Sequence, residues 1–169
     1  MTTYIALLRA VNVGGTGKLP MAELRAMCEA AGFEDVRTYI ASGNVVFRSA
    51  NGAKQAQAAL EKQLQAYAGK PVGVVLRTGA ELRRALDANP FPQAAPNRAV
   101  LIFLDAAPPA DALAAVKHRN GEEIALGERE IYVHYGDGMA DSKLVIPAAK
   151  AGTARNLNTV AKLIEMAGG

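Results

Sequence analysis

Ile5 to Pro20, IALLRAVNVGGTGKLP, decides how this chain is read. It passes from an apolar strand through a glycine-rich loop into the start of a helix. Four apolar residues, Ile5 to Leu8, occupy both alternating faces, so the strand belongs inside a sheet that is covered on both sides. Pro20 suits the first turn of a helix, where its missing N–H costs nothing. Met21, Leu24, Met27, Cys28 and Ala31 then follow helical spacing up to Gly32.

Working outward, Val36 to Ile40 and Val45 to Arg48 read as strands joined by a tight turn at Ser42-Gly43-Asn44. A helix reaching Ala68 buries Ala56, Leu60, Leu64 and Tyr67, and Val72 to Leu76 forms a fourth strand. The order β-α-β-β-α-β is ferredoxin-like. Thr78 to Glu81 has the spacing of a capping box and opens a short helix.

Residues 89–98 carry three prolines without periodicity and read as a linker. The expected division is a ferredoxin-like half over 1–88, that linker, and a second half over 99–169. In the second half Ala99 to Leu104 is a strand, and Pro109 to His118 a helix with Leu113 and Val116 inward. Glu123 to Leu126 and Ile131 to Tyr135 form a hairpin, and Lys143 to Ile146 opens a helix limited by Pro147. Asn156 to Ala167 is the final helix. No closing strand is visible. The fold class is therefore α+β, with two related halves built on antiparallel sheets and a C-terminal helix.

The chain has 169 residues, a net charge of +3 and basic residues spread singly or in pairs, which argues against electrostatic nucleic-acid binding. One cysteine rules out an internal disulfide. Together with an amino terminus lacking a signal pattern, it points to the cytoplasm. No apolar run is long enough to span a membrane. Cys28, His118 and His134 are too few for a His/Cys metal site, and no cofactor is implied. Cys28 reads as a core thiol, and His134 has no visible acid partner.

Ferredoxin-like topology, with sheet order 4-1-3-2, sets the end of the first strand beside the start of the third. It thereby gathers Arg9, Asn12, Lys18, Ser42 and Asn44 at one edge. Arg9 follows four apolar residues in a central strand, so it needs a structural carboxylate such as Glu23, Glu34 or Asp35, or an anionic ligand. Gly14-Gly-Thr-Gly-Lys18 is no Walker loop: Asn12 stands where the first glycine belongs and Leu19 follows the lysine. In Thr153 to Thr159, Asn156 or Asn158 can cap the last helix, with Arg155 just before it. Lys143 is a further candidate for an anion or for chemistry.

LLRAVNVGG (Leu7 to Gly15), PMAELR (Pro20 to Arg25) and YIASGNVVF (Tyr39 to Phe47), with TARNLNTVAKL (Thr153 to Leu163), resemble the bacterial domain-of-unknown-function 1697 family. The resemblance implies a small cytoplasmic protein of two related α+β halves, and brings no activity or catalytic residue. Ala10 stands where the family more usually has glycine, and Leu157 where it has an aromatic. The residues thus point to a small anionic or phosphate-bearing ligand at a polar corner. An enzyme acting on such a ligand, RNA binding and a structural or assembly role are the alternatives. The sequence identifies no catalytic constellation and says nothing of oligomeric state.

Overall fold

The computed structural model describes residues 1–9, 19–39, 43–136, 142–150 and 152–168. The chain divides into two compact units, Met1–Leu82 with Leu163–Gly169, and Arg83–Lys162.

In the first unit β1 (Thr2–Leu8), α1 (Met21–Ala30), β2 (Glu34–Tyr39), β3 (Asn44–Ser49), α2 (Ala53–Ala68) and β4 (Val74–Thr78) follow one another. The sheet order is β2-β3-β1-β4, with β1 antiparallel to both neighbours, as the ferredoxin-like reading requires. Alternation along β1 explains the packing. Tyr4, Ala6 and Leu8 join Leu24, Cys28, Phe47, Leu60 and Leu64 in the core beneath the helices. Ile5 and Leu7, on the opposite face, are equally buried. Phe33 and Phe47 stack with ring centroids 4.0 Å apart. Tyr67, expected inward, is 49% exposed, because α2 is ending there: the next residue but one, Gly69, adopts φ +74 and closes the helix.

The second unit repeats the sheet with different cover. Its strands are β5 (Ala99–Phe103), β6 (Glu123–Leu126), β7 (Glu130–His134) and β8 (Thr153–Asn156), in the order β6-β7-β5-β8. The closing strand missing from the sequence reading is β8, which occupies residues expected to lead into the last helix. The helix expected over Pro109 to His118 is a single 3₁₀ turn, Ala112–Ala115, with Leu113 exposed. Ten alanine-rich residues with one apolar side chain turned to solvent do not bury enough to sustain a helix. The helix expected from Lys143 is likewise absent. Val145 instead exchanges both backbone hydrogen bonds with Lys117, each 2.9 Å, and a 3₁₀ turn covers Pro147–Ala149.

This cover is fastened by Glu122. Its carboxylate accepts from the Ser142 hydroxyl at 2.6 Å and from the Asn120 N–H, while its carbonyl accepts from Arg119 Nε. The Ser142 bond, followed by the backbone bond from Asn120, holds the Glu122 carboxyl below the usual carboxylate range.

Each closing strand runs directly into a helix: β4 into α3 (Gly79–Asp87) and β8 into α4 (Leu157–Met166). The two units therefore share one strand plan and one ending, and differ in what lies between.

A Cβ at Gly152 would lie 2.7 Å from the Phe103 carbonyl oxygen and 2.7 Å from Leu104 Cδ2. Since backbone cannot yield as a side-chain tip does, Gly152→Ala should cost about 1–3 kcal/mol in urea unfolding. Glu122 binds its proton more weakly folded than unfolded, so its contribution is present above the ordinary carboxylate pKa and lost as pH falls through the lower folded value. Glu122→Gln should be less stable than wild type at neutral pH, with a gap that narrows in acid when unfolding is measured as a function of pH.

Candidate functional site

The end of β1 is held from both sides. Leu8 N–H donates to the Gly43 carbonyl and Arg9 N–H to the Gly73 carbonyl, both at 2.9 Å. Gly43 precedes β3 and Gly73 precedes β4, so three chain segments meet where Arg9 leaves the sheet. Gly43 supplies the turn with φ +83. Asn44 pairs with Leu7 across the β1–β3 ladder and is fully buried, and its Nδ2 donates to the Tyr39 carbonyl at 3.0 Å. The sheet thus brings Arg9 and Asn44 to one edge, but Asn44 is committed to tying the β2–β3 connection. Asn12, Lys18 and Ser42 lie outside the described residues.

Arg9 itself is half-buried, with Nε shielded from solvent. Its side chain lies along Gly73: a Cβ there would meet Arg9 Cδ at 2.9 Å and Nη1 at 3.4 Å. Asp35, one of the carboxylates expected near it, lies 3.6 Å from Arg37.

The other candidates belong to the second unit. Arg155 is not a loop residue before a helix. It sits in β8 opposite Leu101, only 7% exposed, and its Nη1 donates to Thr153 Oγ1 at 2.6 Å and to the Ala154 carbonyl at 2.9 Å. Burial depresses its pKa to about 10. Asn156 caps α4, accepting from Thr159 N–H at 2.9 Å, whereas Asn158 is exposed. Lys143 is exposed beside Ser142. His134, read as lacking an acid partner, has Nδ1 3.0 Å from Glu123 Oε1 across the hairpin. Cys28 is a core thiol, pushed up to about 12 by burial. Among the described residues no group of three or more His, Cys, Asp or Glu side chains gathers as a metal site would require.

The residue that sequence reading missed is Arg77. It is 2% exposed and pairs with Ile5 in the first sheet as Arg155 pairs with Leu101 in the second. Its Nη1 donates to the carbonyl of the preceding residue, Leu76, as that of Arg155 does to Ala154. Each arginine is followed by a helix cap: Thr78, in a reciprocal capping box with Glu81, and Asn156. Setting LRTGAEL (Leu76 to Leu82) against ARNLNTV (Ala154 to Val160) was the available signal. The duplication therefore extends to a buried cation at the same place in each closing strand.

Two ferredoxin-like sheets with matching closing strands define an α+β protein built by internal repetition. The chain belongs to a family of proteins of unknown function, DUF1697, whose model matches residues 1–132. Its fold is similar to that of a conserved bacterial protein from Streptococcus pneumoniae, with TM-score 0.82 and 25% sequence identity over 100% of this chain and 99% of the other. Among curated proteins none matches. Among the described residues no helix is long and apolar enough to cross a membrane.

The capping assignment can be checked directly. Asn156→Ala should lose about 1 kcal/mol in thermal or chemical unfolding, and Asn158→Ala almost nothing.

Proposed function

We propose that the first unit binds a small anionic, phosphate-bearing ligand at the corner where β1 ends, with Arg9 as its charged contact. The observation that carries this reading is the placement of Arg9. A guanidinium at the mouth of a central strand, lying along a glycine and half-open to solvent, is a donor set suited to an oxyanion. Arg155, spent on Thr153 and Ala154 inside the second unit, is left out of this site.

The burial of the sheet face speaks against the RNA alternative. An RNA-reading sheet stacks bases on exposed rings of its central strands. Asn44 and Val46, which hold those positions on β3, are fully buried.

Calorimetric titration with inorganic phosphate, pyrophosphate and nucleoside monophosphates tests the reading. Wild type should bind at least one of them, and Arg9→Ala should weaken that binding about tenfold or more, as loss of a charge-assisted contact implies. Wild-type affinity in Arg9→Ala, or silence across the panel, would remove the proposal.

A further inference from the structure

We infer that Gly73 is the positioning residue of this corner: its missing side chain is what allows the Arg9 guanidinium to lie across the start of β4. This rests on the reading of Arg9 as an anion contact and says how that contact is held.

Glycine is commonly kept for backbone conformations that other residues avoid. Gly73 does not have that reason, since its φ lies outside the left-handed range, unlike those of Gly43 and Gly69. What it provides is space. A Cβ would stand 2.9 Å from Arg9 Cδ, 3.5 Å from Cγ and 3.4 Å from Nη1, so stem and head of the arginine both run along the bare Cα. The Gly73 carbonyl meanwhile accepts the Arg9 N–H at 2.9 Å, fixing the backbones of the two residues side by side. With its backbone pinned and its stem lying along the bare Cα, Arg9 has its guanidinium directed across the start of β4. A planar fork held in that way favours ligands that offer two oxygens, as a phosphate or carboxylate does, over a spherical anion.

The contrast with Gly152 makes the inference testable. There an added methyl meets a backbone carbonyl; at Gly73 the three nearest atoms all belong to the Arg9 side chain, which can swing aside. Gly73→Ala should therefore leave the melting temperature near that of wild type while displacing Arg9. Three variants, Gly73→Ala, Arg9→Ala and the double variant, would be compared by phosphate and chloride titration, with the Arg9 Nε–Hε resonance followed by NMR. The expected result is a shifted Arg9 resonance in Gly73→Ala, about tenfold weaker phosphate binding, and a double variant no weaker than Arg9→Ala alone. An unmoved resonance with wild-type affinity in Gly73→Ala, while Arg9→Ala fails to bind, would overturn the role of Gly73 and leave the anion site standing. So would a melting temperature lowered as far as that of Gly152→Ala. Wild type that ignores phosphate would bring down the anion reading itself, and with it the purpose given to Gly73.

Discussion

The first unit depends on a strand with no free side. β1 is paired with β3 and with β4, both of its faces are buried, and its end is fixed by the Gly43 and Gly73 carbonyls. Every element of that unit is located by reference to it. The helices lie over Tyr4, Ala6 and Leu8, the β2–β3 hairpin is set by the Leu7–Asn44 pairing, and Arg9 can leave the sheet only where both neighbouring strands begin. A half-buried charge at the end of such a strand is costly unless something polar receives it. Arg9 at the corner and the buried Arg77 both set a cation in the first unit where polar partners are needed.

β5 plays the same part in the second unit, and comparison of the two shows what duplication preserved. Strand order, the antiparallel pairing of the central strand and the arginine-cap-helix ending recur. The two helices between the strands do not. A sheet needs its apolar face covered, and the second unit does this with Val116, Leu144, Ala148 and Ala149 carried on 3₁₀ turns and extended chain. A carboxylate and a two-residue backbone bridge supply the fastening that helices supply in the first unit.

The first unit was legible because its strands and helices are written in apolar residues at clean periods, with Gly32, Gly52 and Thr78 marking their ends. The second was only partly so. β8 escaped detection since its buried positions are Thr153 and Arg155, and a strand that buries polar side chains carries no apolar alternation. The same polarity hid Arg77 inside β4. Conversely, Leu113 and Val116 mimic helical spacing in a segment too poor in apolar residues to pack as a helix. At the site, strand order alone set the end of β1 beside the start of β3. It could not reveal that Asn44 is occupied by Tyr39, that Arg155 lies within a strand, or that Gly73 makes room for Arg9, because each depends on side-chain geometry that spacing does not encode.

The bridge between Lys117 and Val145 has a consequence for how the chain acquires its structure. α1 and α2 are built from contacts three and four residues apart, which close little chain and cost little loop entropy. The cover of the second sheet has no such local source. It exists only once the β6–β7 hairpin has brought residues 117 and 145 to opposite sides of a closed loop, whose ends must be held together before any hydrogen bond repays the lost chain freedom. The same sheet plan is thus covered in one unit by helices of local contacts and in the other by a bridge between residues far apart in the chain.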